Sequence, residues 1–184
     1  MAKTMIFMSD GCEEVEGLMV VDLVRRAGIE ILMVSLGTDK VITGSHQIRF
    51  MADIMFDEAD FDACDMIILP GGLQGTENIK NHVALNEKIK EFSKEGKMLA
   101  AICAAPTALG YAGVLDGKKA TCYPGMESHF EGKNVTYVNE PAVVDGNVIT
   151  SRGLGAAIDF SEKIIAHFEG QDAADKVLKA IIAK

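Results

Sequence analysis

Cys103 is the residue whose setting most favours chemistry. It lies in AAICAAPTALG, between an apolar run typical of a strand and a run typical of a helix. A thiol at such a strand-to-helix turn, a nucleophile elbow, is exposed while the N–H of the next residue faces a developing oxyanion. A helix N-terminus also favours thiolate, so we expect the pKa of Cys103 to fall below its usual value of ~8.5. The alternative is a small apolar cysteine that closes a buried strand.

Glu16 is a candidate acid or base for the same site. The stretch GCEEVE has three carboxylates in four residues, and the preference of helix N-termini for acids explains Glu13 and Glu14. Glu16 stands among apolar residues in the first turns of the predicted helix. If it points toward the sheet, burial would keep it protonated near neutral pH and ready to transfer a proton. The alternative is a third solvated capping acid.

Two further features could complete a site. Gly71 and Gly72 follow an apolar run, so their backbone could approach a ligand closely and offer N–H groups to an anion; an ordinary turn is the alternative. Of the four histidines, only His129 lies in an irregular segment from which we expect it to be able to reach the site.

The elements that must position these residues alternate between strand and helix. Apolar runs predict four strands, and periodic runs ended by glycine predict helices. Continuous apolar strands are typical of a sheet covered on both faces, so we expect a three-layer α/β sandwich. In such sheets ligands bind beyond the carboxyl ends of the strands. The double glycine, Cys103 and the stretch that contains Glu16 each follow the end of a predicted strand. The predicted strands are Lys3–Met8, Glu30–Leu36, Met66–Leu69 and Lys97–Ile102, with a hairpin between Val41 and Asp53; the predicted helices are Val15–Ala27, Val83–Lys94, Ala104–Tyr111, Ala156–Phe168 and Asp172–Ala183.

Length and composition narrow the class of protein. The 184 residues suit one domain, 1–184, and 18 basic against 27 acidic residues give a net charge of −9, which argues against nucleic acid as a partner. No apolar stretch is long enough to span a membrane. The four cysteines are far apart and form no CxxC pair, so we expect no metal site and no disulfide framework, and a reducing cytoplasm as the location.

Several motifs together resemble a known family. GCEEVE with VDLVRRAGI behind it, MIILPGG, AAICAAPTALG and ITSRGLG occur in this order over nearly the whole chain. They resemble the DJ-one/ThiJ/PfpI superfamily, in particular the branch of the Parkinsonism-associated protein deglycase and its bacterial relatives. The resemblance implies a flavodoxin-like sandwich with a mostly parallel sheet, a homodimer, a nucleophile at Cys103 and a partner carboxyl at Glu16.

The same resemblance assigns the remaining pocket residues. Gly72 and Ala104 match positions whose backbone N–H groups hold an oxyanion or an oxidised sulfur, and Arg152 matches an arginine near the pocket. Human-like members carry a histidine where this chain has Tyr123. Because tyrosine is a poor base at neutral pH, a mechanism that needs that histidine would require His129 instead. Peptidase relatives place a histidine directly after the cysteine, so a Cys-His peptidase is not expected here.

Two functions follow from the resemblance and the residues. The first is a glyoxalase or deglycase without a cofactor, which acts through Cys103 on reactive dicarbonyls or their protein adducts in protection against carbonyl and oxidative stress. The second is a redox sensor or stress chaperone that works through oxidation of the same cysteine.

Overall fold

Apolar runs form the centre of a seven-stranded sheet in the computed structural model, which describes residues 2–130 and 134–183. The strand order is β10-β11-β7-β6-β1-β2-β5, and every neighbouring pair is parallel except β10 and β11. The predicted mostly parallel α/β sheet is therefore confirmed. The strands are β1 Lys3–Met8, β2 Glu30–Ser35, β3 Val41–Thr43, β4 Arg49–Met51, β5 Ile54–Met55, β6 Met66–Leu69, β7 Met98–Ile102, β8 Lys119–Ala120, β9 Thr136–Tyr137, β10 Ala142–Asp145 and β11 Val148–Ser151.

The helices cover both faces of this sheet. Five of them match the predicted helices with ends that differ by a few residues, and α2, which directly follows the double glycine, was not predicted from the sequence. Its nine residues carry five strongly polar side chains and little apolar periodicity, which explains the omission. The helices are α1 Glu14–Arg26, α2 Leu73–Asn81, α3 Val83–Glu95, α4 Pro106–Tyr111, α5 Ala157–Glu169 and α6 Gln171–Ala180.

Two apolar clusters lie on opposite faces of the sheet. Along β1, Ile6 and Met8 belong to the cluster that contains α1, α5 and α6, whereas Met5 and Phe7 belong to the cluster that contains α3 and α4. This alternation follows from the two-residue period of a strand. Because both faces are buried, the strands are apolar throughout, as the sequence pattern indicated.

A β-hairpin lies against the loop that follows β1. β3 and β4 pair antiparallel, which confirms the hairpin predicted between Val41 and Asp53. Thr43 N–H donates to Asp10 Oδ1 at 2.8 Å, and Gly11 N–H donates to the Thr43 carbonyl at 2.9 Å. The hairpin is thus held over one end of the sheet.

No helix within the described residues combines the length and apolar character needed to cross a membrane.

Candidate active site

The candidate site lies where three adjacent strands end. β7, β6 and β1 are neighbours in the sheet, and their carboxyl ends lead into Cys103, the Pro70–Gly72 turn and the loop before α1, respectively. Parallel strands finish at the same edge, so segments some 30 to 90 residues apart in the chain meet there. The structure brings together Cys103, Glu16, Gly71, Gly72 and Ala104.

The backbone at Cys103 is held in an unusual conformation. Its φ is +65°, a region that costs a residue with a side chain roughly 1–2 kcal/mol. Cys103 N–H donates to the Ser151 carbonyl at 2.9 Å, and the Cys103 carbonyl accepts from Tyr123 N–H at 2.7 Å. Such conformations persist when the surroundings fix them, and they are common at active sites. The predicted nucleophile elbow is present, although α4 begins only at Pro106 rather than at Ala104.

Glu16 is buried against the thiol. It is the third residue of α1 and only 1% exposed. Its Oε2 accepts from Gly71 N–H at 3.0 Å, and the carboxyl group is hydrogen-bonded to the Cys103 thiol. Burial raises the pKa of Glu16 to about 7, even though the hydrogen bonds from Cys103 and Gly71 lower it. The alternative of a solvated capping acid is therefore wrong.

Gly71 lies between the acid and the thiol, where no side chain fits. A Cβ at this position would lie 2.5 Å from Cys103 Cβ and 3.0 Å from Cys103 Sγ. Gly72 has a φ of +88°, and a Cβ there would lie 2.6 Å from Glu13 N. The double glycine is thus required for the close approach of three loops, rather than for an ordinary turn alone.

The pKa of the thiol differs from the sequence-based expectation. Burial, followed by the charge and hydrogen bond of Glu16, raises the pKa of Cys103 to about 12. Hydrogen bonds from the backbone N–H groups of Gly72 and Ala104 to the sulfur oppose this effect. The expected depression below ~8.5 is wrong because burial and the adjacent Glu16 outweigh the backbone N–H groups that favour the thiolate. At neutral pH the thiol therefore keeps its proton, whereas the carboxyl group is protonated in part of the molecules.

The thiol opens into a cavity of about 720 Å³. Gly72 and Ala104 line it together with Cys103, which places backbone donors beside the sulfur. All four cysteines are free, and Cys103 is partly exposed whereas the other three are buried. The cavity therefore gives a small molecule access to this sulfur, and a buried structural cysteine is excluded.

The other predicted pocket residues lie in different places. Tyr123 is 53% exposed and lines both this cavity and a second one of about 570 Å³, so it forms the wall between them. Arg152 lines only the second cavity, where its Nη1 donates to Asn139 Oδ1 at 3.3 Å. His129 is exposed on a short 3-10 turn and lines neither cavity. Among the residues that the structure describes, no histidine lines either cavity in place of the one that Tyr123 replaces.

A polar network borders the cavity beneath the hairpin. Ser45 Oγ lies 3.1 Å from both Glu13 Oε2 and Glu14 Oε2, and His46 N–H donates to Glu14 Oε1 at 2.9 Å. Among the described residues, Glu13, Glu14 and His46 are the group whose metal-ligating atoms come within 4.8 Å of one another. Their carboxylates already accept these hydrogen bonds, so the network mainly orders the hairpin.

Sequence reasoning missed much of the cavity wall. Asp10, Gln47, Gln74 and Met126 line the cavity but belong to loops and helices whose positions depend on packing. Only Asp10 had a usable signal, since it stands in the loop directly after β1. The others approach the thiol from segments that carry no recognisable motif.

This geometry defines a class of proteins. It is that of α/β proteins with a cysteine at a strand-to-helix turn, hydrogen-bonded to a buried carboxyl group at the edge of a mostly parallel sheet. The sequence pattern of the DJ-1/PfpI family matches residues 2–167 of the chain. The chain belongs to this family.

Relatives and solved structures agree with the assignment. The chain is 34% identical to protein dj-1beta of Drosophila melanogaster over 97% of this chain and 95% of that protein. It is 36% identical to a deglycase of Pyrococcus abyssi over 82% of this chain and 89% of that protein. The chain is also 34% identical to the DJ-1 homologs A and B of Arabidopsis thaliana, over 98% and 95% of its own length, respectively. These two relatives are longer, and the matched part is only 46% of homolog A and 40% of homolog B.

The fold is shared with crystal structures in the same family. The structure of Drosophila melanogaster DJ-1beta aligns with a TM-score of 0.94 at 33% identity, over 99% of this chain and 98% of that one. An oxidized DJ-1 of Toxoplasma gondii aligns with the same TM-score at 28% identity and the same coverage. The family resemblance and the flavodoxin-like fold are therefore confirmed.

Proposed function

We propose that this protein is a glyoxalase or deglycase without a cofactor that acts on reactive dicarbonyls or their protein adducts. The observation that carries the proposal is the convergence of the Cys103 thiol, the buried Glu16 carboxyl group and two backbone donors on one accessible cavity. The match to a relative named as a deglycase supports it. A protective role against carbonyl and oxidative stress is part of the same proposal.

The first step forms a bond between sulfur and carbon. The sulfur adds to the aldehyde carbon of the dicarbonyl while the thiol proton passes to the Glu16 carboxylate. The raised pKa of Glu16, about 7, suits this transfer because both of its protonation states are populated near neutral pH. The electron pair of the carbonyl π bond moves to oxygen, and the N–H groups of Gly72 and Ala104 stabilise the alkoxide.

The second step moves a proton between adjacent carbons. After Glu16 protonates the alkoxide, its carboxylate removes the proton on the former aldehyde carbon to form an enediol, and a proton returns to the neighbouring ketone carbon. The first carbon is oxidised to a thioester and the second is reduced to an alcohol, so no outside electrons are needed. Water hydrolyses the thioester to a hydroxy acid, and the sulfur recovers its proton.

Turnover tests this proposal directly. Purified protein is incubated with methylglyoxal, and lactate is measured over time. We expect Cys103→Ala to abolish lactate formation, whereas Cys64→Ala, which removes a buried cysteine away from the cavity, retains it. Circular dichroism confirms that both variants are folded. Normal turnover by Cys103→Ala would refute the mechanism.

A second candidate function, redox sensing or a stress-chaperone role through oxidation of Cys103, is favoured by the different burial of the cysteines. Cys103 alone is partly exposed, and Glu16 with the two backbone donors could hold an oxidised sulfur. The oxidized state of the Toxoplasma gondii relative supports this candidate. Mild peroxide followed by mass spectrometry should add two oxygens selectively to Cys103; equal oxidation of Cys12 or Cys64 would contradict it.

The assembly and location complete the proposal. We expect a homodimer, in line with the family resemblance, and size-exclusion chromatography with light scattering tests it by the particle mass. Four free cysteines suit a reducing compartment, so we place the protein in the cytoplasm. Export of the tagged protein from the cell would contradict that location.

A further inference from the structure

The Cys103 carbonyl group is held by a segment whose own strand pairing is short. Tyr123 N–H donates to this carbonyl at 2.7 Å, and Tyr123 follows β8, which has two residues and pairs with the equally short β9. Pairing of this length is marginal by itself. A contact with the central sheet must therefore fix the segment between β8 and Tyr123.

Thr150 of β11 supplies that contact with its side chain. Thr150 Oγ1 accepts from Thr121 N–H at 3.0 Å, and both threonines are fully buried. A buried N–H that loses its acceptor cannot turn to water, so the loss of this bond costs more free energy than the bond itself contributes. The hydroxyl of Thr150 thus takes the place of the carbonyl that a paired strand would offer to Thr121.

These bonds close a ring around Cys103. Ser151, the next residue of β11, accepts from Cys103 N–H at 2.9 Å, so the peptide groups on both sides of the Cys103 Cα are tied to the same two residues of β11. A φ of +65° persists in a residue with a side chain only where its surroundings fix it. The Ser151 carbonyl fixes the N–H side of Cys103, and the Thr150 hydroxyl secures the carbonyl side.

We propose that Thr150 is a positioning residue for the thiol: its hydroxyl keeps Cys103 in the strained conformation that points the sulfur into the cavity. Thr150 is not among the described residues that line this cavity, so it acts through the segment that ends at Tyr123 and not on a ligand. Its effect on turnover rests on the proposed function. Its effect on the direction of the sulfur requires no activity.

Alkylation by iodoacetamide measures access to the sulfur without any turnover. The sulfur forms a bond to the methylene carbon and iodide leaves with its electron pair, while the thiol proton passes to the Glu16 carboxylate. The rate at Cys103 is followed by mass spectrometry, with Cys103→Ala as the blank. Urea unfolding followed by circular dichroism confirms that each variant is folded under the assay conditions.

Three substitutions at the two buried threonines separate positioning from stability. Thr150→Val removes the acceptor and keeps the branched shape, whereas Thr150→Ser keeps the acceptor and removes a buried methyl group. Thr121→Val is the matched control, because Thr121 Oγ1 has no hydrogen-bond partner within the part of the chain that the structure describes, and the N–H of residue 121 is unchanged. A role in stability alone predicts losses in both Thr150 variants, whereas positioning predicts that Thr150→Ser keeps the rate.

The size of the effect follows from the strain at Cys103. Its release would rotate the Cβ and leave about 1 molecule in 5 to 30 with the sulfur in the cavity beside Glu16. Thr150→Val should therefore slow alkylation and lactate formation about 5- to 30-fold, and Thr150→Ser and Thr121→Val should stay within about twofold of the wild type. A Thr150→Val rate that stays at or above this twofold limit, or an equal loss in either of the other variants, would overturn the proposal. Slower alkylation of Thr150→Val without any lactate formation by the wild type would overturn only the proposed function.

Hydrogen exchange in the wild type tests the same ring without a substitution. The N–H groups of Thr121, Tyr123 and Cys103 should be protected to within about tenfold of one another, because groups that open together exchange together. Exchange of Thr121 N–H as fast as that of an exposed amide would overturn the proposal, even where Thr150→Val does not fold.

Discussion

Replacement of Glu16 by glutamine should change how the stability of the protein depends on pH. In the unfolded chain the pKa of this carboxyl group is 4.5, and in the folded protein burial raises it to about 7. Between these values the folded protein binds more protons than the unfolded chain, so the free energy of unfolding falls as the pH rises. Because Glu16 is 1% exposed, solvent screens this effect little.

The size of the effect follows from the two pKa values. Proton linkage between 4.5 and about 7 gives a loss of about 2.5 kcal/mol in the free energy of unfolding from pH 5 to pH 8. Glu16→Gln has no proton to lose and can still accept the hydrogen bond from Gly71 N–H. The free energy of unfolding of the variant should therefore not show this fall. Relative to wild type, it should rise by about 2.5 kcal/mol from pH 5 to pH 8.

Urea unfolding followed by circular dichroism, under reducing conditions, measures this difference at half-unit steps from pH 5 to pH 8. Other carboxyl groups contribute equally to both proteins, so their effect cancels in the difference. Glu87→Gln, on the exposed face of α3, should keep the wild-type slope. Parallel curves for wild type and Glu16→Gln would refute the assignment of a buried carboxyl group whose pKa is raised to about 7.

Three further predictions concern the same loops. Gly71→Ala should slow lactate formation and thiol modification more than tenfold, because its methyl group would lie 2.5 Å from Cys103 Cβ. The control variant Gly155→Ala, which has open space around the added methyl group, should match wild type in both assays. Cys103→Gly should be at least as stable as Cys103→Ala in urea unfolding, the reverse of the usual order, because glycine adopts a φ of +65° without strain. Burial raises the pKa of Glu14, but hydrogen bonds from His46 N–H and Ser45 outweigh burial and bring the pKa below 4.5. Because Glu14→Gln loses part of these hydrogen bonds to a charged group, it should lower the free energy of unfolding by about 1–3 kcal/mol at pH 7. In urea titrations that difference should shrink as the pH falls through the lowered value, and a constant difference down to pH 3 would contradict it.

Motifs in the sequence located the ends of the strands well, but they did not locate most of the residues that line the cavity over Cys103. The run MIILPGG marks both β6 and the turn after it, because a buried parallel strand is apolar throughout and a double glycine ends it. Helix α2 has no comparable pattern, yet it carries Leu73 and Gln74 into the cavity. Its position results from packing between the Gly11 and Gly72 loops, a contact that no local pattern encodes.

The amino-acid sequence by itself determined the order of the central strands and of every helix except α2, the nucleophile elbow at Cys103 and the family. These depend on periodicity and on short motifs, which are local properties of the chain. Only the tertiary structure decided that burial and the neighbouring Glu16 raise the pKa of the thiol, which the helix N-terminus was expected to lower, that His129 stays away from the cavity, and that acids line its rim. The physical reason is that burial and Coulomb interactions depend on distances between residues far apart in the chain, and folding alone sets those distances.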